Sequence, residues 1–210
     1  MTKPFIGIAG IIGVGKSTLT EKLGQSLGLP VYKEPVAENP FLESFYKDMP
    51  RWGFPMQVYL LNARFKQHQE IIWRSDGAVQ DRTIYEDTIF AQMLYEDGHM
   101  TKKEHQTYVE LFCNMTKFLQ RPDLIIYLDA SPEDALKRIQ KRSRSVENGL
   151  PLEYLQSLKK GYDRFVDDMK YVLNIRVVNW EKFIETKDLI KDLELGRETT
   201  YISNRWGKHF

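Results

Sequence analysis

Apolar positions fall into two rhythms along this chain. Five short runs, Phe5 to Ala9, Val31 to Lys33, Ala78 to Asp81, Leu124 to Leu128 and Arg176 to Asn179, have the length and make-up of strands. Between them lie longer stretches with apolar residues every three or four positions, the spacing of helices that bury one face. One of these, LTEKLGQSLG from Leu19 to Gly28, closes on a glycine suited to a helix C-terminus. Strand alternating with helix predicts an α/β fold, a five-stranded parallel sheet with helices on both faces. A further stripe, Tyr108, Leu111, Phe112, Met115, Phe118 and Leu119, keeps helical spacing and is broader than one face of a monomer core needs. No repeat, linker or low-complexity segment divides the sequence, so residues 1–210 read as a single domain.

Composition narrows the class of partner. Thirty Lys and Arg stand against 29 Asp and Glu, a formal charge of +1, so no global field argues for nucleic acid. No apolar run approaches the roughly 20 residues that span a bilayer. These features leave a small molecule as the expected partner. Cys113 is the only cysteine, which excludes an intrachain disulfide and suits a reducing compartment. The start MTKPFIG enters a strand at once and leaves no room for a signal peptide, so a cytoplasmic protein is expected. His68, His99, His105 and His209 are scattered without ligand spacing and do not suggest a metal centre. The basic, aromatic tail from Arg197 to Phe210 is assigned no role.

Chemistry enters directly after the first strand, in GIIGVGKST, Gly10 to Thr18. The spacing Gly10-x-x-x-x-Gly15-Lys16-Ser17, with strand before and helix after, fits a phosphate-binding loop. Glycines let backbone N–H groups turn toward phosphates, Lys16 reaches the outer phosphates and Ser17 would hold Mg²⁺. The candidate ATP contacts are Gly10, Gly13, Gly15, Lys16, Ser17 and Thr18. Open parallel sheets bind ligands past the carboxyl ends of their strands. Glu34-Pro35, Asp81-Arg82 and Asp129 stand at three more such ends. A carboxylate that orients or deprotonates a hydroxyl, with cations that absorb developing charge, suits phosphoryl transfer, and Glu34 and Arg82 fill those parts. In EDALKRIQKRSRSVENGLP, Arg138 and Arg142 share a helix face, while Arg144 lies about 200° round from Arg142 and requires the helix to end or bend. Gly149 and Pro151 mark that end. A solvated face would explain the charge run alone; beside a phosphate loop it reads as a closing lid over about 138–150, whose arginines clamp phosphates and exclude water.

Five segments together resemble the deoxynucleoside kinases of the deoxycytidine, deoxyguanosine and deoxyadenosine type. They are GIIGVGKST, EPV at Glu34 to Val36, RWGFPMQVYLLNAR at Arg51 to Arg64, DRTIYEDTIFA at Asp81 to Ala91, and RIQKRSRSVENGLPLEYL at Arg138 to Leu155. The resemblance covers nearly the whole chain. It implies a P-loop kinase fold with an arginine-rich lid and ATP·Mg²⁺-dependent 5′-phosphorylation of a deoxyribonucleoside. By resemblance Glu34 is the general base on the 5′-hydroxyl, Arg82 binds that oxygen and the transferred phosphoryl group, and Asp81 is the acidic residue associated with Mg²⁺. Tyr46 and Glu147 match the pair at the sugar 3′-hydroxyl, Gln57, Arg64 and Asp87 the base-reading set, and Arg138, Arg142 and Arg144 the lid. Gln57 and Arg64, seven apart in a helical stretch, lie within about 20° of one face. One residue is missing between Arg82 and Phe90 relative to animal members, which leaves open whether Asp87 or Glu86 faces the base. The resemblance also implies a homodimer, and the broad apolar stripe is in keeping with one.

Base choice is expected to fall on deoxyadenosine first, with deoxyguanosine or deoxycytidine as alternatives and thymidine poorest. A buried carboxylate finds no partner beside a thymine methyl. A thymidylate kinase would carry arginine before Glu-Pro and glycines after it, whereas this chain has Lys33-Glu34-Pro35-Val36. A nucleotide-dependent switch would need no carboxylate to activate an acceptor.

Overall fold

A computed structural model describes residues 3–36, 38–142 and 149–192. The strands are β1 (Phe5–Ala9), β2 (Val31–Tyr32), β3 (Ala78–Asp81), β4 (Leu124–Asp129) and β5 (Ile175–Asn179). They form one parallel sheet in the order β2-β3-β1-β4-β5. Each lies within a residue of its sequence expectation. Lys33 drops out of the second strand because its carbonyl accepts from Gln67 Nε2 instead of joining the ladder. β4 gains Asp129, which pairs with Asn179.

The helices are α1 (Lys16–Leu27), α2 (Leu42–Lys47), α3 (Met49–Arg74), α4 (Asp87–Glu96), α5 (Lys102–Thr116), α6 (Pro132–Arg142), α7 (Leu152–Met169) and α8 (Thr186–Asp192). Most buried apolar residues of β1, β3 and β4 and of the helices facing them form one core, and Phe5, Ile71 and Ala78 make a small second cluster. α1 stops at Gly28, whose left-handed backbone (φ 63°) donates its N–H back to Gln25 and Gly24. α3 is capped by Asp48, which accepts from the Arg51 N–H at 3.1 Å. The face it buries, Gly53, Met56, Gln57, Leu60, Leu61, Arg64, His68 and Ile71, repeats every three to four residues, but three of these side chains are polar or charged. That mixture departs from a simple core stripe and marks the helix as one wall of a site.

The expected stripe around α5 divides. Tyr108 is fully buried, Leu111 and Phe118 are exposed, and Phe112, Met115 and Leu119 are half-buried. Phe118 and Leu119 lie past the end of α5, where the Leu119 N–H turns back to the Thr116 carbonyl. Among the described residues no helix is long and apolar enough to cross a membrane.

Candidate active site

The central strand β1 has β3 on one side and β4 on the other, so the chain diverges at its carboxyl end and opens a crevice there. The loop Gly10–Gly15 fills that crevice and delivers α1 with its N-terminus toward the ligand side. Gly13 shows why the loop needs glycine: its φ is 86°, and a Cβ would stand 2.6 Å from Ile139 and 2.7 Å from the Ala135 carbonyl, so the loop sits directly on α6. Lys16 Nζ donates to the Ile11 carbonyl at 3.1 Å, across its own loop. Burial, then the nearby Arg82, lowers its ammonium to about 8, against the pull of Asp81, Glu34 and Glu86.

A cavity of about 290 Å³ runs from this loop toward α3. Gly13, Gly15, Lys16, Ser17 and Thr18 line one end, Tyr46, Gln57 and Arg64 the other, with Glu34, Arg82 and Arg138 also on its wall. Gly10 is absent from the lining and shapes the start of the turn (φ 147°). Glu34 stands past β2 and accepts through the same oxygen, Oε1, from Arg64 Nη2 and Arg82 Nε, both at 2.7 Å. Burial would raise its carboxyl, but Arg82, Arg64 and Lys16 outweigh burial and hold it down at about 2. It is therefore ionised at any working pH.

Arg82 follows β3 in the left-handed region, φ 71°, which costs a non-glycine residue about 1 kcal/mol or more. Its side chain is buried, donates from Nη1 to the Tyr162 hydroxyl, and lies 4.8 Å above the Phe90 ring. Asp81, one residue earlier, accepts from Ser17 Oγ at 2.5 Å through Oδ2, while its buried Oδ1 has no partner among the described residues. That pair of hard oxygen ligands beside a phosphate loop fits Mg²⁺, which takes one or two protein ligands and completes its shell with phosphate and water. Among the described residues no group of three or more His, Cys, Asp or Glu could hold a metal alone.

At the far end Arg64 donates from Nη1 to Asp87 Oδ1, and both side chains are buried. Burial pushes the Asp87 carboxyl up to about 7 against the opposing pull of Arg64. Gln57 Oε1, Arg64 Nε and Asp87 Oδ2 are all buried without a hydrogen-bond partner among the described residues. Buried polar atoms carry a cost unless something satisfies them. Gln57 and Arg64 line the cavity while Asp87 stands behind Arg64 outside its lining, and together they mark a place built for a polar ligand. Glu86 turns elsewhere, accepting from the Thr83 N–H at 2.8 Å and from the Tyr162 hydroxyl at 2.6 Å.

Arg138 reaches back from α6 and donates to the carbonyls of Val14, Trp180 and Glu181 at 3.0–3.1 Å, with the Phe183 ring 4.6 Å away. Arg142 closes the described part of α6, and its side chain, like Arg144 and Glu147, lies outside the described residues. Asp129, read as a fourth strand-end candidate, pairs with Lys159 at 3.2 Å and does not line the cavity. Sequence reasoning missed Trp180, whose indole donates to the Val14 carbonyl at 2.9 Å, Phe183, which packs against Gly15, and Tyr162. The first two follow β5, so the strand-end rule carried to the last strand finds them.

A family profile described as deoxynucleoside kinase matches residues 6–197. The chain belongs to the deoxynucleoside kinase family. It is accordingly a phosphotransferase that acts on deoxynucleosides. A deoxyadenosine kinase of Dictyostelium discoideum is 46% identical over 200 residues, 95% of this chain and 82% of that one. A deoxyadenosine/deoxycytidine kinase of Bacillus subtilis is 40% identical over 181 residues, 84% and 83% of the two chains. Among solved structures, deoxyadenosine kinase from M. mycoides with bound dATP superimposes with a TM-score of 0.83 at 34% identity, covering 91% of this chain and 99% of that one. The fold expectation, a P-loop kinase with five parallel strands, agrees with both sheet and neighbours.

Proposed function

We propose that this deoxynucleoside kinase transfers the γ-phosphoryl group of ATP to the 5′-hydroxyl of a purine deoxynucleoside, deoxyadenosine first. The observation that carries the reading is one cavity joining the phosphate loop to Gln57 and Arg64, each with an unsatisfied buried polar atom, with Glu34 and Arg82 also on its wall and Asp87 paired to Arg64 behind it. The 5′-oxygen attacks the γ-phosphorus, the bond to the β,γ-bridging oxygen breaks, and the hydroxyl proton passes to Glu34. Both arginine bonds go to Oε1, which leaves Oε2 for the acceptor hydroxyl. A carboxylate held near 2 is a weak base that is charged before transfer and takes the proton only late, as the new P–O bond acidifies the hydroxyl, which suits a loose transition state in which orientation matters more than early proton removal. Arg82 and Lys16 stabilise negative charge on the transferring group. Ser17 and Asp81 would hold Mg²⁺, whose contribution is charge neutralisation on the donor phosphates.

Gln57, Arg64 and Asp87 read the base, and Asp87 rather than Glu86 supports it, because Glu86 is already engaged by Thr83 and Tyr162. Tyr46 lies on the cavity wall where a 2′-hydroxyl would crowd it. Arg138 and the Phe183 ring offer the donor's base a flat surface at the mouth. Arg142, Arg144 and Glu147 are proposed for the lid and the 3′-hydroxyl on resemblance alone. The relatives named for deoxyadenosine support the base preference. A homodimer is proposed through the groove between α4, α5 and α7, lined by Ile89, Val109, Phe112 and Phe165. A coupled assay with ATP across the four deoxynucleosides and adenosine tests the reading. Deoxyadenosine should be fastest and adenosine far slower; thymidine as best substrate, or adenosine equal to deoxyadenosine, overturns it.

A further inference from the structure

Tyr162 comes from the middle of α7, far in sequence from every motif, yet its hydroxyl stands at the centre of the buried charge network. It accepts a hydrogen bond from Arg82 Nη1 and donates one to Glu86 Oε2 at 2.6 Å. Glu86 is fixed in turn: its other oxygen accepts from the Thr83 N–H at 2.8 Å and so caps the short 3-10 turn Ile84–Glu86. The ring of Tyr162 stacks on Tyr127 at 5.3 Å with planes 7° apart, which restrains its rotation. Gly161 allows this approach, since a Cβ there would come within 2.6 Å of Ile89 on α4.

Arg82 needs such support. Its backbone is left-handed, Glu34 bonds only Nε, and the Phe90 ring and the Glu86 carboxylate, 3.8 Å from Nη1, give it contact and charge but no second hydrogen bond. The Tyr162 hydroxyl supplies a second point on Nη1, and two points define a plane. Nη2 is then left without a hydrogen bond to the described residues, and Arg82 is one of the residues that line the cavity. We propose that Tyr162 is a positioning residue for phosphoryl transfer: its hydroxyl, braced by Glu86, sets the plane of the Arg82 guanidinium and aims Nη2 at the reacting oxygens. Phenylalanine would keep the packing but leave Nη1 and Glu86 Oε2 without this bridge, in a site too buried for bulk water to replace it.

The inference rests on the role given above to Arg82, and the test separates the two. Phosphate transfer from radiolabelled ATP is measured for the parent, Tyr162→Phe, Arg82→Lys and the double variant, with KM for both substrates and the thermal midpoint of each protein. Tyr162→Phe should lower kcat about 10- to 100-fold, the scale of a misaligned group, with both KM values within about twofold of the parent. In the Arg82→Lys background the same change should cost less than about twofold, because the group it positions is gone. An unaltered kcat in Tyr162→Phe overturns the proposal, as does an equal loss in both backgrounds or a rise in KM that accounts for the whole effect. A normal Arg82→Lys enzyme instead overturns the role of Arg82. Should Tyr162→Phe fail to fold, Glu86→Gln, which keeps one oxygen for the Thr83 N–H and sets an amide N–H in place of the acceptor that braces the Tyr162 hydroxyl, carries the same comparison: a kcat loss confined to the Arg82 background supports the proposal, and a loss equal in both overturns it.

Discussion

Glu34 is held ionised by two arginines that converge on one of its oxygens, and this has consequences for chemistry and for stability. Glu34→Gln should keep ATP binding but lose turnover by about 10² or more, the scale of a lost general base, checked by ATP titration beside steady-state rates. Its folded carboxyl, at about 2, lies below the ordinary 4.5, so the fold favours the charged form. That stabilisation is fully present above about 4.5 and disappears as pH falls from there toward about 2. Thermal midpoints across this window should fall more steeply in the parent than in Glu34→Gln; parallel curves would contradict the pairing. The residue itself was legible from its place after a strand. Its arginine partners at a single oxygen were not, because Arg64 arrives from a helix 30 positions away and nothing local specifies that meeting.

Helices carry the next level of the site. α3 presents Gln57 and Arg64 on one buried face, as their spacing of seven implies, and α4 begins with Asp87 opposite them. Removing that carboxylate in Asp87→Ala should reorder the nucleosides in a competition assay, narrowing the margin against thymidine; an unchanged ranking would remove Asp87 from base choice. Strand positions were legible to within a residue because short apolar runs bounded by turn residues have few other uses. The stripe around α5 was not, since Tyr108 turns into the core while Phe118 lies beyond the last helical turn. Helical spacing names a face without naming what covers it. α7 and α4 meet where Gly161 faces Ile89, with no room for a methyl group. Gly161→Ala gains up to about 1 kcal/mol of helix propensity but forces overpacking of about 1–3 kcal/mol, so urea unfolding should show a net loss of stability.

At the scale of the molecule, the groove between α4, α5 and α7 has an apolar floor and a charged rim in which Arg164 grips Glu96 through two 2.7 Å bonds. Sedimentation should show a dimer, and Phe112→Glu should shift it toward monomer without changing the active-site residues; a monomeric parent would refute that assembly. The sheet order carries a consequence of another kind. β1 is the first strand in the chain and the central one in the sheet, and its partners are β3, where Phe5 meets Ala78, and β4, where Ile6 meets Leu124. On a ribosome adding roughly 5–20 residues per second, its partners on both sides are complete only on the order of 6–24 s after β1 is made. Until β3 is made the apolar Phe5–Ala9 segment has no partner strand, and until β4 follows one of its edges stays unpaired, so the nascent chain depends on chaperone cover or on its own early helices to keep that edge from pairing with a neighbour.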